Sequence, residues 1–189
     1  MDPFSYVSIV PSIIIALGIT RLLTGIGRIV ERRSQVKVYW VHILWSINLF
    51  LYMVLNWWVL FRWAPQQDWS FPLFIFLLLT PTVCFLLSVV LFPDLFDPIM
   101  DFKTHFYQDN RWFFALAAIL PPLDFLDTAL KGIPHLLAQG PIYLITIGLL
   151  TALSLVAAFT KNQTYHKIYA IFFLVYLSVF ISVNLNTLV

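Results

Sequence analysis

The sequence predicts an all-α polytopic membrane protein, a single domain over 1–189 built as a bundle of about six transmembrane helices. Three observations predict it. Hydrophobic residues make up 61% of the chain and charged residues only 11%, whereas a soluble domain is about half apolar and a quarter charged. Six segments approach or meet the length of about 20 apolar residues that crosses a hydrocarbon core. Those segments are continuously apolar and lack the alternation of β-barrel strands. A soluble globular protein is therefore excluded, and a net charge of +2 dispersed along the chain excludes a nucleic-acid-binding surface. Cys84 is the single cysteine, which excludes an internal disulfide, a CxxC pair and a thiolate metal cluster.

The first span is read over 5–28. It follows Met1-Asp2-Pro3-Phe4-Ser5 with no basic n-region, and its apolar run is too long for a secretory signal, so it is expected to stay in the mature protein. Along it Ser8, Ser12, Ala16, Thr20 and Thr24 recur every four residues as one stripe of small side chains. Such a stripe lets helices approach closely, first of all inside the bundle, and otherwise as a homo-oligomer seam or a contact with a membrane partner. The second span, 38–61, and the third, 71–92, are joined by a short turn whose Trp63 and Trp69 suit a membrane interface. The connection 93–111 carries Phe96, Ile99, Met100, Phe102, Phe106 and Tyr107 among four Asp. It reads either as an amphipathic segment lying on the inner surface from Pro98 or as a solvated loop. The fourth span, 112–131, is broken at Pro121-Pro122, because a proline pair removes two donors from the helix ladder. The fifth, 141–160, has a shorter small face of Gly148 with Ala152 and Ser154 with Ala158, and the sixth, 168–188, completes the bundle.

Basic residues set the orientation. With both termini outside, Arg21, Arg28, Arg32, Arg33 and Lys37 flank the first inner loop, Lys103 and Arg111 the second, and Lys161 and Lys167 the third. Only Arg62 and Lys131 remain outside, so an N-out, C-out topology is expected.

The stretches Ser5-Tyr6-Val7-Ser8-Ile9-Val10, Ala16-Leu17-Gly18-Ile19-Thr20-Arg21-Leu22-Leu23-Thr24-Gly25 and Arg111-Trp112-Phe113-Phe114 resemble those of small multi-pass membrane proteins encoded in bacterial genomes without an assigned function. The resemblance covers about the first two thirds of the chain. It implies a bacterial inner membrane and carries no catalytic or binding residue across.

Asp124 and Asp127, three apart behind the proline pair, share one helix face. Ionisable groups within a membrane usually face a polar cavity or a partner. With Trp112 at the inner interface, a rise of 1.5 Å per residue puts Asp124 about 18 Å and Asp127 about 22 Å from that face. The same arithmetic places Asn48 at about 15 Å, Tyr52 at about 21 Å, Thr80 at about 16 Å and Asn184 at about 24 Å, with Asn56 and Thr146 at similar levels. These residues predict a polar layer in the outer half of the membrane that binds a small solute, a proton or a cation. Asp124 would be the ion-binding carboxylate, assisted by Asp127 and Asn48 and lined by Tyr52, Thr80 and Asn184. The plainer alternatives are that the fourth span ends near Leu120 or that Asp127 reaches the outer interface, and that the Asn and Thr side chains bond between helices.

Arg21 lies about 10 Å inside its helix end, where it either snorkels to the inner headgroups or meets the level of Tyr39 and His42. His42, His105 and His166 are expected near the inner face and His135 near the outer one, each as an interfacial residue, with a bis-His site between His42 and His166 as the alternative. Asp94, Asp97 and Asp101 are similar to part of the Mg-diphosphate motif of membrane prenyltransferases, a hard-cation site built from carboxylate oxygens. No Asn precedes Asp94, Pro98 interrupts the turn and six spans are fewer than that fold uses, so the spacing reads as coincidence. No Ser-His-Asp set and no glycine-rich phosphate loop is found, and Gly25-Ile26-Gly27 lacks the strand context of a dinucleotide signal. No catalytic residue, metal or cofactor is expected. The functional expectation is a transporter-like or channel-like protein. The alternative is a non-catalytic scaffold or accessory subunit using the small stripe, and a remote one is a Mg-dependent lipid-modifying enzyme.

Overall fold

The computed structural model describes residues 2–93 and 101–184. Asp2 accepts from the Ser5 amide at 3.2 Å and Pro3, which has no N–H to satisfy, takes the first turn of α1 (Pro3–Val7). The chain is interrupted at Ser8, since Pro11 has no N–H to offer the Val7 carbonyl, and continues as α2 (Ile9–Glu31). Next come α3 (Trp40–Val59), extended by a 3-10 turn over Leu60–Trp63, and α4 (Phe71–Leu91), whose N-cap Ser70 accepts from the Leu73 amide at 3.4 Å. α5 (Phe102–Ala117) and α6 (Leu120–Leu130) share one span, and the short α7 (Ile133–Ala138) leads to α8 (Gly140–Phe159) and α9 (Gln163–Asn184).

Six stretches are long and apolar enough to cross a bilayer: Pro3–Glu31, Trp40–Trp63, Phe71–Leu91, Phe102–Leu130, Gly140–Phe159 and Gln163–Val183. By the length and hydropathy of its helices the chain is a multi-pass membrane protein, with no β-sheet among the described residues. Ile142, Ile145 and Phe159 on α8 and Val175 and Val179 on α9 are exposed, a surface that lipid covers without penalty and water does not.

α2 and α4 lie side by side, and the contact is made by Pro11, Ile15, Gly18, Leu22, Gly25 and Ile29, alternately four and three residues apart. The small stripe is not that face. Ser8 and Ser12 are half-buried and Ala16, Thr20 and Thr24 are exposed, which corrects the expectation that the stripe packs inside the bundle. Two glycines supply the close approach instead: a Cβ on Gly18 would stand 2.7 Å from Met53 Cε, and one on Gly25 would stand 2.3–2.6 Å from three ring carbons of Phe92.

The end that carries Arg28 to Lys37 is held by side chains that reach the last carbonyls of α4. Arg21 Nη2 donates to Phe92 O at 2.8 Å, His42 Nε2 to Leu91 O at 2.9 Å, and His105 Nε2 lies 3.2 Å from both Val90 O and Leu91 O. Arg21 thus caps a neighbouring helix rather than simply snorkelling to headgroups. The Phe102 amide bonds Lys37 O at 3.0 Å, and Asp101 caps α5 through the Lys103 and Thr104 amides at 2.9 and 3.3 Å. Residues 102–111 are therefore not a loop: Phe102 and Phe106 are buried, and the helix of the fourth candidate span starts at Phe102 rather than at 112, whereas residues 94–100 of the connection lie outside the described residues. Likewise the sixth starts at Gln163 rather than at 168, because Asn162 Oδ1 accepts from the Thr164 and Tyr165 amides at 2.9 and 3.2 Å.

The two neighbouring glycines of α2 give a direct test of this packing. Gly25→Ala is expected to destabilise the fold by about 1–3 kcal/mol through overpacking against the buried Phe92. Gly27→Ala, with no heavy atom within 4 Å, should be neutral or stabilise by up to about 1 kcal/mol. Denaturant midpoints of the two variants check it, and an unaffected Gly25→Ala would show that α2 and α4 do not meet there.

Candidate functional site

The helix break lies just before the proline pair. Ala118 N bonds Phe114 O at 2.9 Å, Ile119 N tightens to Leu116 O at 3.1 Å, and Pro121 and Pro122 then fall in the first turn of α6, where no intrahelical donor is needed. α6 turns Leu126 and Leu130 outward and brings Asp124, Asp127, Thr128 and Lys131 against α3, α4 and α8.

The two carboxylates have different surroundings. Asp127 accepts from the Trp63 indole at 2.8 Å and pairs with Lys131, whose ammonium also lies 5.1 Å from a ring centroid of Trp63. Its charge is thus met from two sides. Asp124 is exposed, and its Oδ2 is 2.9 Å from the Tyr143 hydroxyl, which lies 2.9 Å from Thr128 Oγ1 as well. Among the described residues no basic nitrogen stands within 4.0 Å of the Asp124 carboxylate.

Two cavities meet at this pair. The larger, with about 130 Å³ for the centres of water-sized molecules, lies between α3, α5, α6, α8 and α9. The smaller, about 40 Å³, lies between α3, α4 and α6. By that measure a single water needs only about 10–15 Å³, so the larger space has room for more than one water-sized group. Of the residues expected at a polar site, Asp124, Asp127 and Tyr52 line both cavities and Thr80 lines the smaller. Asn48 lines neither: it is fully buried, and its Nδ2 donates to Ala170 O at 2.9 Å, tying α3 to α9. The side chain of Asn184 lies outside the described residues. Thr146 bonds Ile142 O of its own helix at 2.9 Å. Tyr143, Thr128, Trp63 and Lys131 complete the site and were not singled out from the sequence. Asp127 and Lys131, four apart, carry the one signal that was present, an i,i+4 ion pair.

Phe102 lies level with Lys37, and Asp124 and Asp127 lie at the other end of the bundle, where the Trp63 indole bonds Asp127. At the opposite end, His42 and His105 rings are 6.1 Å apart, whereas His166 stacks separately with Phe106 and Phe114 at 5.4 and 5.1 Å and bonds Thr160 O at 3.0 Å. Among the described residues no group of three or more His, Cys, Asp or Glu is placed to hold a metal ion. Asp101 serves as the cap of α5, and Asp94 and Asp97 lie outside the described residues.

No family model, curated protein or solved structure matches the chain.

His135 sits in α7, outside the spans, at the rim of the larger cavity. Partial burial, with the nearby Lys131 and Arg62 charges, holds its pKa below the ordinary histidine value, against an opposing pull from Asp127. Protonation is thus harder in the folded chain than in the unfolded one, and acidification through the ordinary histidine range lowers stability. The ring titration followed by NMR is expected below that range, and Arg62→Gln should move it up. An unchanged midpoint in Arg62→Gln would separate His135 from the charged rim.

Proposed function

We propose that the chain is a small transporter-like membrane protein that binds a small solute or cation at Asp124. One observation carries the reading: of two neighbouring carboxylates, Asp127 is neutralised by Lys131 and bonded by Trp63, while Asp124 borders both cavities with, among the described residues, a tyrosine hydroxyl as its hydrogen-bond partner. A carboxylate without an ion-pair partner of its own gains most by binding a cation or a proton. Asp127 and Lys131 then act as a structural pair that fixes α6 against the end of α3, and Tyr143 orients the Asp124 carboxylate from α8. The distribution of basic residues supports the N-out, C-out orientation, which opens the Asp124 end to the outside of a bacterial inner membrane.

The reading is tested by reacting Asp124→Cys, on a Cys84→Ala background, with a membrane-impermeant maleimide from each side of sealed vesicles. Labelling from the outer side alone is expected; protection from both sides would mean a sealed bundle and end the proposal. Asp124→Asn should abolish solute binding and leave folding and insertion intact.

A second reading is favoured by the exposure of Ala16, Thr20 and Thr24, a small-residue face that lipid alone covers. On it the chain is a scaffold or accessory subunit, or forms a homo-oligomer, through α2. Ala16→Trp is then expected to remove a cross-linked species seen in native membranes; an unchanged cross-linking pattern would leave α2 facing lipid only.

A further inference from the structure

The larger cavity is long and chemically graded. It is lined along α3 from Trp45 to Arg62, about 25 Å by helical rise, in a hydrocarbon core only about 30 Å thick. Its charged and amide groups, Asp124, Asp127, Lys131, Arg62, Asn56 and Gln139, collect at one end. The other end is walled by Leu150 and by Trp45, whose ring stands 5.5 and 5.6 Å from those of Phe113 and Phe173. The two hydroxyls there, Ser154 and Tyr169, bond each other at 2.8 Å, and the Trp45 indole nitrogen is buried away from the open volume. The charged groups are thus confined to the Asp124 end, and the remaining length, walled mainly by aromatic and aliphatic side chains, suits an apolar group.

We propose that this cavity takes a cationic amphiphile: an amine or quaternary ammonium head against Asp124, with an aromatic or aliphatic tail reaching towards Trp45 and Phe173. The inference rests on the Asp124 reading above and adds the ligand class. A cation is favoured over an anion because Lys131 is committed to Asp127 and Trp63, whereas no basic nitrogen among the described residues stands within 4.0 Å of the Asp124 carboxylate. Tyr52, Tyr143 and Tyr176 line the same space and offer ring faces that attract an ammonium group. The tail replaces water over apolar walls, the usual source of affinity in such a pocket.

The test is calorimetry on the full chain in phosphatidylglycerol nanodiscs with benzyltrimethylammonium, tetramethylammonium, benzyl alcohol and benzenesulfonate. Benzyltrimethylammonium is expected to bind about tenfold more tightly than tetramethylammonium, from burial of its ring. Asp124→Asn should weaken it by about tenfold or more, as expected when one member of a close charge pair is lost. Ala117→Leu, which places an isobutyl group in the apolar part, should weaken benzyltrimethylammonium and spare tetramethylammonium; Phe173→Ala, which removes a wall, tests the same point should that variant not fold. Equal, Asp124-dependent affinity for the two ammonium ions would overturn the amphiphile and leave the cation site standing. Binding indifferent to Asp124→Asn would overturn both, and tighter binding of benzenesulfonate would transfer the site to an anion at Arg62. Addition of phosphatidylethanolamine to the discs separates the two sources of such a ligand. Loss of benzyltrimethylammonium binding assigns the site to an amine lipid, and retention assigns it to a free amphiphile, both within the proposed chemistry.

Discussion

A carbonyl oxygen that lacks a donor inside a bilayer costs several kcal/mol, and no water is present to relieve it. Helix ends and proline sites create such oxygens, and in this chain side chains from other helices answer them. The last carbonyls of α4 are met by Arg21, His42 and His105, drawn from α2, α3 and α5. Those at the end of α8 are met by Asn110 from α5 and by His166 from α9. Asn48 reaches Ala170 O, and Tyr165 reaches Leu153 O at 2.6 Å. Each such bond joins two helices, so the need that terminates one helix also fixes the position of its neighbour. Asn, Tyr, His and Arg are consequently buried in a membrane bundle, and they serve as fasteners rather than as chemistry.

The same logic separates the two carboxylates of α6. Asp127 belongs to the fastening system, because Trp63 and Lys131 lock the end of α3 to the middle of α6. That lock holds α6 in place behind its break and keeps the space between α3, α6 and α8 from closing. Asp124 lies one turn earlier, on the edge of that space, and among the described residues the side chain that bonds it comes from α8. A structural ion pair and an unspent carboxylate thus stand side by side, and the first positions the second.

The spans, the fold class and the pairing of Asp124 with Asp127, Tyr52 and Thr80 were legible because hydropathy and helical rise are local quantities. The starts of α5 and α9 were not. Lys103, His105, Gln108, Asp109 and Asn110 give 102–111 the composition of a loop, whereas its buried Phe102 and Phe106 become visible only against His42 and against Tyr39 and His166. The glycine contacts on α2 were hidden for a related reason: Ser8 to Thr24 form the more regular small stripe, and nothing local says that Met53 and Phe92 approach the other face. Tyr143 and Trp63 became part of the site through the register of α8 and of the 3-10 turn, which no single helix encodes. The role of Asn48 as a tie to Ala170 depends likewise on where α9 lies.

The segment from Phe102 to Leu130 has a consequence for biogenesis. It carries Lys103, His105, Asp109, Asn110 and Arg111 at one end and Asp124 and Asp127 at the other, with a proline pair between them. Such a segment partitions poorly into lipid when it leaves the translocon by itself. Its polar groups find partners on α3 and α4, which are synthesised earlier, and on α8, which is synthesised later. Its insertion is therefore a tertiary event: α3 and α4 must already be in place to receive it, and α8 completes its satisfaction. The order of the helices along the chain is in this sense also an order of assembly.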